Sequence, residues 1–169
     1  MKLSEHENDT TVRAGIIIRL AGTDKILTEL AWGKYPPNNY RDIVKGHITK
    51  GEDIAVGACR EAKEETGLDI SPEDVLKLGL YNYGGSVIQL YYIEKDFNLE
   101  ECHCDSIFTN NWGKEVPEVR AFELFDMKLD NVDDKGFYFG LRPILKQIFK
   151  DILENKDFID IYNKASKEK

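Results

Sequence analysis

The sequence predicts a single α/β sandwich. Apolar, β-branched runs predict strands along much of the chain, and two well-separated amphipathic patterns predict helices. Strands that wrap around two such helices favour a layered α/β domain. A chain of 169 residues, 41% of them hydrophobic, is long enough to bury one core and too short for two comfortable ones. We therefore expect one domain over residues 1–169.

The first part of the chain predicts a hairpin followed by a short strand. Thr11–Leu20 is an apolar run that ends at the turn signal of residues 21–24 (AGTD), and Lys25–Gly33 can pair with it. Residues 35–39 (YPPNN) predict a loop, and Arg41–Ile48 predicts another short strand.

A helix is predicted over Ile54–Thr66. Asp53 can cap its start, and Gly67 is the expected C-terminal stop. The apolar face consists of small residues at helical spacing, which let the helix lie close against its packing partner: Ala55, Ala58, Cys59, Ala62 and Thr66. We expect this face to be buried and the other side of the helix to point into a cleft.

The second half of the chain predicts more strands and a C-terminal helix. Val75–Tyr83 and Val87–Glu94 predict two strands around a Gly-Gly-Ser turn, followed by a loop over Leu99–Gly113 and a strand over Val116–Phe125.

Leu141–Leu153 predicts a strongly amphipathic helix with Pro143 in its first turn. Residues 158–162 continue a helical pattern before a charged tail, Lys164–Lys169.

The helix predicted over Ile54–Thr66 carries Glu61, Glu64 and Glu65 within one arc of about 100°. Like charges at these spacings cost roughly 0.2–0.5 kcal/mol per pair. The last turn of a helix also favours cations over carboxylates. A bound divalent cation would remove both penalties, so this helix is the predicted functional element. The alternative is a solvated acidic helix face.

The spacing around these glutamates favours the functional interpretation. Gly46, Glu52 and the segment Arg60–Leu68 match every fixed position of the pattern G-x5-E-x7-R-E-U-x-E-E-x-G-U, where U is apolar. This stretch, residues 46–68, resembles the Nudix (MutT-like) hydrolase signature. We refer to it below as the box.

The resemblance implies a Nudix-type α/β/α sandwich with a mixed sheet, a catalytic loop–helix–loop and an amphipathic C-terminal helix. It implies hydrolysis of a nucleoside diphosphate linked to another group, with Mg²⁺ or Mn²⁺ as cofactor. It also implies roles for the box residues: Glu61 and Glu65 as principal metal ligands, Glu64 as a further ligand or proton acceptor, Arg60 as the partner of Glu64, Gly46 as a backbone carbonyl ligand, and Glu52 as support for the helix N-terminus or an outer ligand.

Four further residues are candidates near the box. Glu118 lies where several Nudix enzymes carry an additional catalytic glutamate, and Glu115 is its rival; the alternative for either is an ordinary edge-strand carboxylate. Lys45 and Lys50 flank the box and are candidates for phosphate binding, against the ordinary interpretation as surface lysines.

Two other patterns are weaker. Cys102, His103 and Cys104 lack the partner pair that a closed zinc site needs. Four strand tyrosines offer rings for base stacking, although strand tyrosines more often pack in the core: Tyr81, Tyr83, Tyr91 and Tyr92.

The start of the box bears on the substrate. Residues 45–47 (KGH) followed by residues 51–53 (GED) are similar to asymmetric dinucleoside tetraphosphate hydrolases, with departures at Val44 and Lys50, where those enzymes have proline. We expect a dinucleoside polyphosphate or a related nucleotide. The alternatives are an RNA 5′-end pyrophosphohydrolase and a catalytically silent nucleotide-binding module, and the intact box glutamates count against the latter.

Composition limits the binding partners and the cellular location that we expect. With 31 acidic and 23 basic residues the net charge is −8, which disfavours extended nucleic-acid binding. There is no apolar run long enough to span a membrane, and the polar start MKLSEHENDT lacks a signal-peptide core. An odd number of cysteines, three, suggests no disulfide framework. We expect a cytoplasmic protein with a small-molecule nucleotide substrate, and the oligomeric state stays open.

Overall fold

A computed structural model describes residues 12–32 and 39–168. The residues that precede 12 and most of the loop predicted at residues 35–39 lie outside the described residues; Asn39, the last residue of that predicted loop, begins a strand instead. The strands in the described ranges are β1 Val12–Leu20, β2 Lys25–Trp32, β3 Asn39–Asp42, β4 Val44–His47, β5 Leu76–Tyr83, β6 Ser86–Lys95, β7 Ile107–Thr109, β8 Glu115–Pro117 and β9 Val119–Asp126. The α-helices there are α1 Ile54–Thr66, α2 Arg142–Glu154 and α3 Lys156–Lys167.

Strand β1 lies at the centre of a mixed sheet. One edge of β1 pairs in parallel with β6, which in turn pairs antiparallel with β5. The other edge is shared, because β4 pairs with the first half of β1 and β2 pairs with it near Arg19. Strands β3 and β9 both pair with β2. This arrangement confirms the predicted hairpin of β1 and β2 and the mixed sheet.

The two faces of β1 supply two separate cores. Ile16 and Ile18 are fully buried in the cluster that contains the small residues of α1. Ile17, also fully buried, belongs to the opposite cluster with the apolar side chains of α2. On that side α3 adds Phe158 and Tyr162, whose rings each lie 5.1 Å from the ring of Tyr92 in edge-to-face contacts. Helices therefore cover both faces of the sheet, which confirms the α/β/α sandwich.

Helix α1 begins and ends where its sequence predicts. The Asp53 carboxylate accepts hydrogen bonds from the backbone N–H groups of Ala55 and Val56 at 3.1 and 3.2 Å. Gly67 adopts the left-handed conformation, with φ of 79°, and closes the last turn on the Lys63 carbonyl. These caps fix the position of the helix that carries the glutamates.

The single strand predicted over Arg41–Ile48 is wrong, because two strands occupy it. The Asp42 carboxylate accepts a hydrogen bond from the Ile43 backbone at 2.9 Å, and Ile43 lies in neither strand. Strand β3 therefore pairs with β2, whereas β4 pairs with β1. This change of partner brings the start of the box alongside β1.

The segment from 99 to 125 also differs from its prediction. The predicted loop contains β7, which pairs with β8 as a separate two-stranded hairpin. The predicted strand Val116–Phe125 is interrupted at Glu118, whose backbone N–H donates to the Ser106 carbonyl at 2.9 Å and closes the base of the hairpin. The C-terminal end predicted as a charged tail is helical as far as Lys167.

Within residues 12–32 and 39–168, none of the helices combines the length and apolar character needed to cross a membrane.

Candidate functional site

The three box glutamates lie on α1 in three different environments. The side chain of Glu64 is 45% exposed, that of Glu61 is 14% exposed, and Glu65 is 7% exposed. The expectation that all three share an open face is therefore wrong for Glu65, which lies at the border between the cleft and the core. Burial raises the pKa of Glu61, although the Arg60 guanidinium opposes the shift.

Arg60 holds several box groups together. Its Nε and Nη2 donate to the two carboxylate oxygens of Glu52 at 2.8 and 3.1 Å. Nη1 donates to Glu61 at 2.8 Å and to Glu64 at 3.3 Å. The hydrogen bonds with Arg60 lower the pKa of Glu52. Arg60 therefore binds Glu52 and Glu61 more closely than Glu64, the partner expected from the sequence.

Glu52 braces the loop between β4 and α1. Besides its two bonds from Arg60, its Oε2 accepts from the Thr49 backbone N–H at 3.0 Å. The N-terminus of α1 is capped by Asp53, so Glu52 does not contact the first helical amides in the expected way. Instead it links Thr49, at the start of the loop, to the Arg60 side chain.

Gly46 allows Glu61 to reach strand β4. A Cβ atom at Gly46 would overlap the Glu61 carboxylate and lie 2.5 Å from its Cγ. Gly46 also pairs with Ala14 of β1, which fixes its backbone in the sheet. Only glycine leaves room for the Glu61 side chain against this strand.

Glu29 is a buried acidic partner of Glu65 that sequence reasoning missed. It lies on β2, is 4% exposed, and its Oε1 has no hydrogen-bond partner within the described residues. Burial and the neighbouring Glu65 raise the pKa of Glu29 well above its ordinary value, and burial raises the pKa of Glu65 to about 8. Glu65 Oε2 also accepts from the Lys45 backbone N–H at 3.3 Å. The available signal was a carboxylate between the apolar residues Leu27, Leu30 and Ala31 of strand β2.

Basic and aromatic side chains also line the cleft. Arg13, Lys45, His47 and Tyr83 line it together with Gly46, Ser106, Glu118 and the three box glutamates. The cations of Arg13 and Lys45 each lie 5.4 Å from the centre of the Tyr83 ring. Burial, with Arg13 and Lys45 nearby, lowers the pKa of His47.

The two flanking lysines occupy different positions. Lys45 Nζ lies 2.9 Å from Asp42 Oδ2. Burial alone would lower the pKa of Lys45, but Asp42 and Tyr83 raise it to about 12. Lys50 is exposed and does not line the cleft. The structure therefore brings Lys45, and not Lys50, to the glutamates.

The hairpin of β7 and β8 separates the two candidate glutamates outside the box. Glu118, at its base, lines the cleft with Ser106. Glu115 lies on β8 opposite Thr109, is exposed, and does not line the cleft. Of the two rivals, only Glu118 meets the box glutamates.

The remaining sequence candidates have other contacts. The thiols of Cys102 and Cys104 lie against the carbonyls of Asn98 and Ser106, at 3.7 and 3.3 Å. Tyr91 and Tyr92 are buried in the two cores, whereas Tyr83 reaches the cleft.

The donor chemistry of the cleft suits a hard divalent cation. Its acidic side chains offer carboxylate oxygens, which Mg²⁺ and Mn²⁺ prefer. In residues 12–32 and 39–168, no three acidic, histidine or cysteine side chains already surround a common point. Arg60 Nη1 contacts both Glu61 and Glu64, so a cation would compete with it for their oxygens.

Known proteins resemble this chain in sequence. The NUDIX domain family model matches residues 9–141. An uncharacterised 17.7 kDa protein from the e-segB intergenic region of Enterobacteria phage T4 is 36% identical over 90 residues, which cover 49% of this chain and 59% of that protein. An uncharacterised Nudix hydrolase of Clostridium acetobutylicum is 28% identical over 137 residues, covering 73% of this chain and 62% of that protein. The chain thus spans about three fifths of the length of the curated relatives it matches.

A solved structure has the same fold. The C. elegans Ap4A hydrolase, in a binary complex, superposes with a TM-score of 0.57 at 21% identity, covering 85% of this chain and 98% of that one.

Proposed function

This chain belongs to the NUDIX domain family, and on that premise we propose that it hydrolyses a phosphoric anhydride bond in a nucleoside diphosphate linked to another group. The observation that carries the proposal is the cleft, in which the box glutamates and Glu118 face Arg13 and Lys45. A polyphosphate needs cations along its chain and an acceptor for the proton of the attacking water. Acidic and basic side chains that line one cleft can supply both.

Glu61, Glu64 and Glu65 would hold the divalent cation, with the Gly46 carbonyl as a further oxygen donor. When bound, Mg²⁺ or Mn²⁺ neutralises charge on the phosphates and activates water for attack. Arg60 positions the Glu61 carboxylate through the 2.8 Å hydrogen bond from Nη1, and Glu52 in turn fixes Arg60. The box therefore acts as one hydrogen-bonded unit in which each charged group orients another.

Glu64 and Glu118 are the groups that would accept a proton. The water oxygen forms a bond to one phosphorus, the anhydride P–O bond breaks, and its electron pair leaves with the departing phosphate. The proton of the water passes to a carboxylate. Glu64 is half exposed at the cleft and Glu118 lies at the base of the hairpin, so both reach solvent and substrate.

A dinucleoside polyphosphate is the proposed substrate. The box start, residues 45–47 and 51–53, is similar to that of asymmetric dinucleoside tetraphosphate hydrolases. Fold similarity to the C. elegans Ap4A hydrolase is consistent with this choice. Within the cleft, Arg13 and Lys45 offer two positive charges for a polyphosphate chain.

A substrate panel tests the proposal. Purified protein with Mg²⁺ or Mn²⁺ is incubated with diadenosine tetraphosphate, ADP-ribose, nucleoside triphosphates and RNA carrying a 5′-triphosphate or cap, and products are separated by chromatography. We expect turnover of diadenosine tetraphosphate that stops on chelation and returns with added metal. If no substrate is cleaved with either metal, the enzymatic function is wrong. If only the RNA ends are cleaved, the substrate is wrong and the reaction class stands.

A further inference from the structure

A second cavity lies beside the glutamate cleft. It has a volume of about 960 Å³ and is formed by the ends of β3 and β9 and by residues 134–142, which lead into α2. This volume is within the range of roughly 300–1,000 Å³ that small-molecule sites occupy. The box residues do not line it, and the proposed reaction gives it no role.

Aromatic rings with exposed faces line this cavity. Phe139 is 70% exposed and Tyr40 is 43% exposed. The ring of Phe139 lies 4.6 Å from that of Tyr138, tilted by 47°, so Tyr138 supports Phe139 from one side. A large exposed ring that is held by another ring offers a surface on which a nucleobase can stack.

The cavity is basic in an acidic protein. Its lining carries four basic and two acidic side chains, whereas the whole chain has a net charge of −8. All three guanidinium nitrogens of Arg41 already donate to groups of the protein. Nε donates to the Lys135 carbonyl, Nη1 to Thr28 and Nη2 to Glu123, at 2.9, 2.6 and 2.7 Å.

Arg142 differs from Arg41. Only its Nε donates, to the Phe137 carbonyl at 2.8 Å, and within the described residues its two Nη groups have no hydrogen-bond partner. A guanidinium whose orientation is fixed through Nε and whose Nη groups remain available is suited to bidentate contact with a phosphate.

Two links connect the cavity with the glutamate cleft. Tyr83 lines the cleft and Tyr138 lines the cavity, and their rings meet edge-to-face at 5.4 Å. Glu118, just before β9, lines the cleft while Arg120, two residues later, lines the cavity. The two spaces therefore adjoin along these residues.

We propose that this cavity binds the second nucleotide of a polyphosphate-linked dinucleotide whose anhydride bond is cleaved at the glutamates. The base stacks on Phe139, and Arg142 binds a phosphate of the same nucleotide. The inference rests on the proposed function, because it assigns the far end of the substrate that the glutamate cleft would cleave. It makes the cavity a specificity site for dinucleotides over mononucleotides.

A matched pair of substrates tests this assignment. Diadenosine tetraphosphate and adenosine tetraphosphate share the polyphosphate chain and differ in the second nucleoside. We expect F139A to lower the ratio of kcat/KM for the dinucleotide to that for the mononucleotide at least about fivefold, the lower end of the effect of losing one stacked base. R142Q, which removes a charged hydrogen-bond donor to phosphate, should lower the same ratio by at least a similar factor. F139Y keeps the ring and should keep the ratio. L129A removes an exposed side chain outside the cavity and should leave kcat/KM unchanged for both the dinucleotide and the mononucleotide.

The outcomes separate the two proposals. If wild-type protein cleaves neither substrate, the proposed function is wrong and this inference falls with it. If wild type cleaves the dinucleotide but F139A and R142Q leave the ratio within twofold of wild type, the cavity assignment alone is wrong. A folding defect would lower both kcat/KM values together, and thermal unfolding of each variant identifies it.

Discussion

Replacement of Gly46 by alanine should disable the glutamate cleft without unfolding the protein. The new Cβ would overlap the Glu61 carboxylate and lie 2.5 Å from its Cγ, whereas Cβ contacts below 3.0 Å essentially never occur. To restore an ordinary contact, the Glu61 carboxylate must move on the order of 1 Å. A misplacement of this size in a catalytic group lowers the rate about 100-fold, which corresponds to about 3 kcal/mol of transition-state stabilisation.

The effect on folding should be much smaller than the effect on rate. The atoms that give way belong to the end of a flexible side chain, and Gly46 has no positive φ that an alanine would strain. We expect the free energy of unfolding to fall by about 1 kcal/mol or less. The assay is kcat/KM for the best substrate of the panel, together with urea unfolding of the same preparations.

Two controls isolate the cause. G22A places alanine at a left-handed turn position, φ 77°, with no atom within 4 Å of the new Cβ, so it should cost about 1 kcal/mol of stability and leave kcat/KM unchanged. In a second control, G46A is combined with E61A, which removes the carboxylate that the new Cβ displaces. The reasoning is refuted if G46A retains wild-type activity, or if it lowers activity in the E61A background as much as in the wild type.

Three further outcomes are expected. E64Q should lower kcat by about 100-fold or more while circular dichroism and the melting temperature stay near wild type, and near-normal turnover would remove Glu64 from the proton-transfer role. E118Q should lower kcat whereas the matched E115Q should not, because only Glu118 lines the cleft; equal effects would contradict this assignment. Burial, with Asp53 nearby, raises the pKa of Tyr91 from 10.0 to about 12. The neutral phenol of Tyr91 therefore contributes fully to stability below pH 10, and this contribution is lost as pH rises through about 12. Between pH 10 and about 12, the unfolding free energy of wild type should therefore fall by up to about 3 kcal/mol more than that of Y91F. Parallel plots of unfolding free energy against pH for the two proteins would contradict this prediction.

Local sequence signals predicted the parts of the fold that are determined locally. The bounds of α1 agree with prediction because Asp53 and Gly67 satisfy the unpaired groups at its two ends with their own side chain and backbone. The strands of the β1–β2 hairpin were predictable because their apolar runs end at strong turn residues. In these elements, the interactions that fix the boundary lie within a few residues of it.

The division between β3 and β4 could not be predicted in this way. Residues 41–48 were predicted as one short strand, but the Asp42 carboxylate accepts a hydrogen bond from the Ile43 backbone N–H and the two halves pair with different strands. Which strand each half pairs with depends on the positions of β1 and β2, and these cannot be inferred from residues 41–48 alone. Glu118 is similar, because its position in the cleft depends on the hairpin closed by its bond to Ser106.

Glu29 shows that the site, too, depends on tertiary contacts that the local sequence does not predict. In sequence it is one polar residue in a strand, a position that usually faces solvent. Its burial follows from β3 and β9 flanking β2 and from the approach of Glu65 on α1, and each of these is a tertiary contact. The second cavity is likewise lined by residues from separate elements, β3, β9 and the segment that leads into α2, and so depends on tertiary contacts.

Arg60 relieves part of the charge repulsion among the clustered glutamates of α1. From the sequence, three like charges on one helix face suggested an external cation that would balance them, with a solvated acidic face as the alternative. In the structure Arg60 already contacts Glu61 and Glu64, and burial raises the pKa of both Glu61 and Glu65, so part of the repulsion is relieved within the chain. The acidic face is therefore compatible with a stable helix, and Arg60, which Glu52 fixes in turn, holds the carboxylates of Glu61 and Glu64. A cation that binds these two glutamates must displace Arg60 from them, so part of the binding energy of a substrate with its metal is spent on rearranging these side chains.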